Sequence, residues 1–226
     1  MKKLLLLAVS LLGMASAQAQ TITAEDVEAL KGKDAGVISV ALATNGASGI
    51  RDAQFSFVVP TGLTLGTIEK GEAATDNGDE AYTYAISDGV PVTNGTKYTV
   101  VVYSTDAENF VDGAILNIPV SVPADYSGTY WAETAYDLDG IAYTVEDATE
   151  TAVAADTYKF EVGLLGDANK SGSVTADDAT AILSAYLGTL DSTAPFSALA
   201  ANANEDAAGD VTADDATAAL QIYLAQ

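Results

Sequence analysis

The stretch DANKSGSVTADDATAILSAYL, residues 167–187, decides how the C-terminal part of this chain folds. Its second half, VTADDATAILSAYL (174–187), recurs 37 residues later as VTADDATAALQIYL (211–224), with 11 of 14 positions identical. In each copy the apolar residues recur at helical spacing, which predicts two amphipathic helices. Thr175 and Thr212 each precede an Asp by three residues, the spacing of a helix-capping box. Capping explains each copy from the Thr onward and leaves the upstream residues unexplained.

Upstream of each helix, oxygen-bearing residues alternate within a frame that ends at the Asp of the capping box. Both frames carry Gly at position 6, where an EF-hand loop turns sharply, and the alternate positions are those that supply calcium with oxygen ligands. The predicted ligands are, in the first frame, Asp167, Asn169, Ser171, Ser173 through its carbonyl, Thr175 and Asp178, and in the second, Asn204, Asp206, Asp210, Thr212 and Asp215. The sequence therefore predicts one or two Ca²⁺ ions.

The two frames differ in quality. Asn204 replaces the usual Asp at position 1 of the second frame, and Ala208 at position 5 cannot coordinate a cation. We expect the second site to be the weaker one, because ligand charge and ligand number tune calcium affinity. Val174 and Val211 occupy position 8 of each frame, and we expect them to pair the loops through a short β-bridge.

Composition limits the chemistry that a site in this chain can use. The sequence contains no His and no Cys, which excludes His- or Cys-activated nucleophiles and the usual sites for zinc, copper and iron. Any metal must be held by oxygen. With a net charge of −23, the chain attracts divalent cations and repels nucleic acid. No acidic pair is singled out as a glycosidase pair would be, so we expect a non-enzyme.

The N-terminal residues have the features of a secretory signal peptide. Lys2 and Lys3 precede an apolar run over residues 4–12, and small residues with A-x-A spacing follow. We assign residues 1–19 to a signal peptide and expect export to the cell surface, the exterior or the periplasm. The apolar run is too short to span a bilayer and no later segment is long enough, so no membrane span is expected.

Residues 21–162 are typical of short strands separated by turns. Apolar residues alternate with polar or small ones, and Asn45-Gly46, Asp88-Gly89, Asn94-Gly95 and Asp139-Gly140 are turn dipeptides. The predicted strands lie within 38–42, 55–59, 63–68, 81–86, 98–102, 116–122, 128–136, 141–145 and 158–162. This pattern predicts a mainly β protein with an antiparallel nine-stranded β-sandwich of jelly-roll type. Pro119 within a strand indicates an edge or a bulge.

The C-terminal stretch GDANKSGSVTADD (166–178) and its echo resemble a dockerin module, whose two loop-helix repeats lack the entering helix and end in Asp. The resemblance covers residues 166–224. It implies paired F-hand helices, calcium-dependent folding and docking onto a cohesin domain, usually in polysaccharide-degrading complexes. Positions 10 and 11 of each loop contact the partner in dockerins, and here they are Ala176, Asp177, Ala213 and Asp214. Because both copies carry the same pair, either helix could face one partner.

The larger region resembles cohesin-type sandwiches. The resemblance rests on GVISVALATNGASGIRDAQFSFVVPTGLTL, YTVVVYSTDAENFVDGAILNIPVSV and TYKFEV. It implies a dockerin as a possible partner. The alternatives are an immunoglobulin-like sandwich and a carbohydrate-binding sandwich, and the latter would present aromatic rings to a glycan. Trp131 is the candidate sugar platform, although aromatic residues on strands more often belong to a core.

Together these patterns predict four segments: a signal peptide (1–19), a cohesin-like sandwich (21–162), a linker (163–166) and a dockerin-like calcium module (167–226). The expected function is that of an exported, non-catalytic scaffolding or adaptor protein that docks through a cohesin–dockerin interaction and is linked to polysaccharide binding or degradation. The alternative is a carbohydrate-binding cell-surface protein tethered by its dockerin-like tail.

Overall fold

The computed structural model describes residues 20–33, 36–45, 49–75, 82–105, 109–145, 150–152 and 156–226. The expected signal peptide and Gly46 of the first turn dipeptide lie outside these residues. The strands are β1 Thr21–Ala24, β2 Val27–Leu30, β3 Gly36–Ala43, β4 Ile50–Pro60, β5 Thr64–Leu65, β6 Glu69–Lys70, β7 Tyr82–Ile86, β8 Val90–Val92, β9 Gly95–Ser104, β10 Gly113–Ser121, β11 Ala135–Val145, β12 Glu150–Ala152 and β13 Asp156–Gly163. The helices are α1 Glu72–Thr75, α2 Ala176–Tyr186, α3 Ala198–Ala201 and α4 Ala213–Leu224. The protein is mainly β, as predicted.

The strands form two sheets around one core. The first sheet has the order β1-β3-β10, and both β5 and β6 pair with the far side of β10. The second sheet has the order β2-β13-β11-β4-β9-β7, with β12 on β11 and β8 on β9. All pairs are antiparallel except β2 and β13. The two sheets enclose a buried apolar cluster drawn from both, which is a β-sandwich.

The predicted period-two strands supply this core. Ile38, Val40 and Leu42 of β3 are buried in alternation, and Phe55 and Phe57 of β4 are fully buried. Alternation places every second side chain on the inner face of a sheet, where apolar area is removed from water. The hydrophobic pattern therefore correctly predicted which face of each of these central strands is buried.

The number of strands differs from the prediction. The described residues contain thirteen strands, so the count of nine is not confirmed. The additional ones include β1, β2 and β8, which are only three or four residues long and lie at the margins of their sheets. Such short segments carry too few alternating residues to be recognised from periodicity.

The segment 128–136 was predicted as a strand, and this is wrong for most of it. Only Ala135 and Tyr136 belong to a strand, β11, whereas residues 128–134 form turns and irregular backbone. Trp131 within this segment has a left-handed backbone, with φ 53°. A left-handed residue cannot continue a strand, and the segment instead carries Trp131 to the C-terminal helices.

Two turn dipeptides have opposite outcomes. Asn94-Gly95 lies at the tight hairpin that joins β8 to β9, as predicted. Asp139-Gly140 lies inside β11, where the register against β4 shifts between Asp139 and Ala142. Because a bulge needs one extra residue in the strand, a Gly there marks an irregularity of the ladder and not a chain reversal.

Pro119 lies where its strand lacks a continuous neighbour on one side. It pairs with Val37 of β3, and on the other side it faces the gap between β5 and β6, where Gly66 N–H donates to its carbonyl at 2.8 Å. A proline has no N–H to offer to a ladder. β10 has neighbours on both sides, so the predicted edge position is wrong, and Pro119 is accommodated because it faces the break between β5 and β6. The bulge of β10 lies earlier, between Ala114 and Leu116.

The C-terminal residues form a small helical layer against the sandwich. Helices α2 and α4 pack through small side chains, with Ala179, Ile182, Ala216 and Ala219 buried between them. A separate cluster of Leu30, Trp131 and Ala200 joins this layer to the sandwich. No helix among the described residues is long and apolar enough to cross a membrane.

The predicted β-bridge between the two loops is absent from the described structure. Neither Val174 nor Val211 lies in a strand or bridge. Val174 is buried beside Gly166 and, through that glycine, close to Ile222 of α4. The loops are thus held by side-chain packing, and Val174 serves the core without a backbone pairing.

Candidate metal centre

The first loop gathers its oxygen atoms around Asp167. This carboxylate is fully buried: Oδ1 accepts the backbone N–H of Ser171 at 2.9 Å, and Oδ2 accepts that of Gly172 at 2.8 Å. Gly172, with φ 88°, makes the turn that brings its N–H back to Asp167. Lys170 is also left-handed, with φ 58°. The loop therefore wraps around the position 1 carboxylate.

The remaining predicted ligands of this loop are linked to one another. Asn169 Oδ1 accepts the Ser171 N–H at 3.0 Å, and Ser171 Oγ donates to the Ser173 carbonyl at 3.0 Å. Asp178 Oδ1 accepts the Asn169 N–H at 3.1 Å, and its Oδ2 accepts the Thr175 N–H at 2.8 Å. All six residues that the sequence predicted for the first site therefore belong to one hydrogen-bonded loop.

Asp178 closes the loop and also caps α2. Its Oδ2 accepts both the N–H and the hydroxyl of Thr175, so the predicted capping box is present. Burial raises the pKa of the Asp178 carboxyl, although the Asn169 and Thr175 amides lower it, and the nearby Asp167 carboxylate raises it further. Two buried carboxylates repel each other, and a cation between them would relieve that repulsion.

The second loop is arranged differently. The side chains of Asn204, Asp206 and Asp210 are exposed, whereas Asp215 is fully buried. Asn204 Oδ1 accepts the Asp206 N–H at 2.9 Å, and Asp206 Oδ1 accepts the Gly209 N–H at 2.9 Å. Asp206 at position 3 thus takes the Gly amide that Asp167 takes from position 1 in the first loop.

Asp215 performs the capping role of Asp178 without a carboxylate neighbour at position 1. It accepts the backbone N–H of Asn204 at 3.1 Å and of Thr212 at 2.8 Å. Burial raises its pKa, but these hydrogen bonds outweigh burial, so the net pKa is lowered. Asp210 makes no hydrogen bond with the other four predicted ligands among the described residues. The second loop is satisfied as a helix start, and its oxygen atoms are less concentrated.

The first loop fits calcium better than the second. Calcium takes six to eight oxygen ligands, and carboxylate, amide, hydroxyl and carbonyl oxygens are all suitable. Within the described part of the chain no three acidic, His or Cys side chains lie together so that they could hold a metal ion. The first loop accordingly offers two carboxylates, Asp167 and Asp178, with neutral oxygens supplying the rest.

The structure brings to the first loop residues that the sequence analysis did not connect with it. Trp131 Nε1 donates to Asp167 Oδ2 at 2.8 Å, and this contact is buried. Lys170 forms ion pairs with Glu28 and with Glu161, the latter at 2.7 Å. In two of these contacts, Trp131 with Asp167 and Glu28 with Lys170, the partners lie 36 or more residues apart in the sequence. Only the fold of the sandwich brings such residues to the loop. No periodic pattern in the sequence could have identified them.

Trp131 is not available as a platform for sugar rings, because it belongs to a buried cluster. Its side chain is 9% exposed and packs against Leu30 and Ala200. Lys170 Nζ lies 4.9 Å from the centre of its ring. Both the faces and the N–H of the indole are therefore engaged within the protein.

The predicted partner-binding residues lie at the N-terminal ends of α2 and α4. Ala176, Asp177, Ala213 and Asp214 are all exposed. Ala176 and Ala213 line one groove between the helices, and both helices contribute equivalent residues to it, Thr180 and Thr217 as well as Leu183 and Leu220. The structure therefore brings Ala176 and Ala213 to one groove, whereas Asp177 and Asp214 are not among the residues that line it.

The C-terminal halves of these helices expose large apolar side chains. Each predicted apolar face is divided between two environments. Residues such as Ala179 and Ala216 pack between the helices, whereas most of the larger side chains are exposed to solvent. Leu187 is 61% exposed and Leu224 is 79% exposed, and the other exposed members of this set are Leu183, Tyr186, Leu220 and Tyr223. A concentration of exposed apolar side chains on one module is typical of an interaction surface.

Comparison with known proteins gives structural resemblances to cohesins. No protein-family model and no curated protein matches the chain. A non-cellulosomal cohesin from the hyperthermophilic archaeon Archaeoglobus fulgidus is 16% identical, with a TM-score of 0.46, and the match covers 64% of this chain and 91% of that one. A chain of a type I cohesin–dockerin complex from Clostridium thermocellum is also 16% identical, with a TM-score of 0.48 and coverages of 64% and 99%.

A third solved structure contains the sixth cohesin of scaffoldin B from Acetivibrio cellulolyticus in complex with a mutant Cel5 dockerin. The matched chain is 18% identical, with a TM-score of 0.47, and the match covers 64% of this chain and 100% of that one. At these identities and TM-scores the activities and partners of those proteins are not transferred to this chain. The β-sandwich is established by its own strand pairing and core.

Proposed function

We propose that this chain is an exported, non-catalytic scaffolding or adaptor protein whose C-terminal module, residues 167–226, binds calcium and docks onto a cohesin-type domain of another protein. The sandwich, residues 21–162, offers a second binding surface for a dockerin or a glycan. Polysaccharide binding or degradation is the setting in which such an assembly would act. The observation that carries the proposal is the first loop, in which all six predicted ligand residues, Asp167 among them, belong to one hydrogen-bonded network.

Calcium would supply the first loop with positive charge that no side chain of the module directs toward its carboxylates. Asp167 and Asp178 carry negative charge into a buried site, and Lys170 directs its ammonium toward Glu28 and Glu161 of the sandwich. Asn169, Ser171, Thr175 and the Ser173 carbonyl complete the candidate ligand set. A small module with little core gains much of its stability from such a site.

The docking surface proposed for the module is the groove between α2 and α4. Its two walls carry equivalent residues, Leu183 of α2 and Leu220 of α4 among them. The acidic residues Asp177 and Asp214 lie at equivalent ends of the helices. A partner that contacts one wall could therefore contact the other after a half-turn of the module, which gives two binding modes.

A binding assay with a panel of purified cohesin domains tests the docking proposal. The full chain is titrated against each domain with calcium and with chelator, and binding is expected only with calcium. The paired change Asp177→Ala and Leu183→Asp should weaken one mode, and Asp214→Ala with Leu220→Asp the other. Combining both pairs is expected to lower affinity by at least about 100-fold, since buried apolar contacts dominate such interfaces.

The matched control is Val90→Asp, at an exposed position of the sandwich edge. Loss of binding from the α2 pair alone, with no effect of the α4 pair, would refute two equivalent modes. Calcium-independent binding, or no binding to any cohesin, would overturn the docking proposal itself.

Carbohydrate binding remains the second candidate for the sandwich. Trp131 is engaged within the protein, but an aromatic-lined groove on the sandwich includes Tyr126 and Tyr136 beside Asn94. A glycan array probed with the full chain tests this candidate, and a Tyr126→Ala variant locates the contact. A positive array with a negative cohesin panel would favour the carbohydrate-binding alternative over the scaffold.

A further inference from the structure

Contacts with the sandwich hold Trp131 in one position beside the first loop. Its backbone N–H donates to the Val162 carbonyl at 2.8 Å. Its six-membered ring lies so close to Gly163 that a Cβ there would come within 2.1 Å of Cζ2. The backbone of Trp131 is left-handed, with φ 53°, which is a strained conformation for a bulky residue. It is maintained because Val162 and Gly163 hold the residue in one position.

From this position the indole reaches the carboxylate at position 1 of the loop. Trp131 Nε1 and Asp167 Oδ2 are 2.8 Å apart, and the same oxygen accepts the Gly172 N–H. An indole nitrogen can donate but cannot accept or bind a cation. Its role at Asp167 is thus to orient the carboxylate, through a hydrogen bond that is strengthened by the negative charge.

A second contact holds the same loop to the sandwich. Lys170, at position 4, pairs with Glu28 of β2 and Glu161 of β13, and its ammonium lies over the Trp131 ring. Ser197 Oγ, just before α3, donates to Glu28 Oε2 at 2.6 Å. Residues of the sandwich therefore hold the first loop at two of its positions, Asp167 and Lys170.

The second loop has a weaker attachment. Its described contact with the sandwich is the ion pair of Lys33 with Glu205, at 2.8 Å, and both side chains are more than one third exposed. Exposed ion pairs contribute little. Asn204, its position 1 residue, is exposed to solvent. The sandwich thus holds the first loop through buried contacts and the second loop through an exposed ion pair.

We propose that Trp131 is a positioning residue for calcium in the first loop, so that the sandwich sets the calcium affinity of the module. This inference rests on the proposed calcium site. Residues outside the ligand set that orient the ligands commonly alter metal affinity by about 10- to 100-fold. Because coupling between two equilibria is reciprocal, calcium in the first loop also stabilises the packing of the helices on the sandwich.

The test is a calcium titration of the full chain and of Trp131→Phe by calorimetry. Phe keeps an aromatic ring beside Gly163 and removes the N–H. The variant is expected to bind calcium at the first loop about 10-fold more weakly, with the second loop unchanged. Leu30→Val is the matched control, because it reduces packing in the same apolar cluster without touching the Trp131–Asp167 hydrogen bond. It should lower the melting temperature and leave calcium affinity within twofold.

A second measurement uses the unaltered chain. Trp131 is the only tryptophan in the sequence, so indole fluorescence reports on this contact alone. The emission is expected to change on calcium addition, with a midpoint equal to that of the tighter calorimetric site, and Asp167→Asn should abolish the change.

The outcomes separate this inference from the calcium proposal. Calcium binding that is equal in the wild type and in Trp131→Phe would overturn the positioning role and leave the calcium site standing. If Trp131→Phe fails to fold, the fluorescence of the wild type decides. An indole emission that does not change at saturating calcium would overturn the positioning role and leave the calcium site standing. Failure of the wild type to bind calcium would overturn both.

Discussion

The two loops of the C-terminal module begin helices of nearly identical sequence, yet they differ at ligand positions 1, 3, 5 and 7 upstream of those helices. Asp178 and Asp215 occupy the same position and cap their helices in the same way. The pKa of Asp178 is raised by burial and by Asp167, whereas hydrogen bonds outweigh burial and lower the pKa of Asp215. The repeated stretch therefore encodes a helix start, and the residues before it distinguish the first loop, as a candidate metal site, from the second.

The environment of the loops widens this difference. Asp167 is buried against Trp131 of the sandwich, while Asn204 lies in solvent. Electrostatic interactions are stronger where water is excluded. A cation should therefore gain more from the first loop than the exchange of Asp for Asn alone would explain.

The largest expected effect comes from neutralising the position 12 carboxylates one at a time. Asp178→Asn keeps a capping side chain but removes a charged ligand, and should weaken the tighter calcium site by more than about 100-fold. Asp215→Asn should affect the weaker site alone. Calorimetric titration of both variants measures the difference. Equal losses in the two variants would show that the loops are equivalent.

Removal of calcium should destabilise the first repeat more than the second. At a free calcium concentration about 100 times the dissociation constant, binding contributes about 2.7 kcal/mol to stability. We expect chelator to reduce hydrogen-exchange protection in α2 first and in α4 to a smaller extent, while β4 and β9 keep theirs. Unchanged protection of α2 in chelator would contradict the calcium claim.

A smaller effect is expected from rebuilding the second loop on the pattern of the first. Asn204→Asp with Ala208→Ser restores the charge and the hydroxyl oxygen that the first loop has at these positions. The change should tighten the weaker site on the order of tenfold. Ala207→Ser, between the ligand positions, is the matched control and should have no effect on the titration. A rebuilt loop as tight as the first would imply that the sandwich contributes nothing.

Much of the architecture followed from local patterns. Alternating residues such as Ile38 and Phe57 identified inner faces of the sandwich, and the spacing of Thr175 and Asp178 identified the start of α2. These are short-range properties, because a strand or a helix cap is specified by residues within a few positions. Strands such as β1 and β8 escaped prediction because so few residues carry their pattern.

The chain's own sequence determined the two-part organisation, the absence of His and Cys chemistry, the oxygen set of the first loop and the two helix starts. Tertiary structure alone decided that residues 128–134 leave the strand pattern, that Trp131 donates to Asp167, and that Lys170 pairs with Glu28 and Glu161. The reason is distance along the chain. Trp131 and Asp167 are 36 residues apart, and Glu28 and Lys170 are 142 apart. Only packing of the helices on the sandwich gives them a common site, which no local pattern encodes.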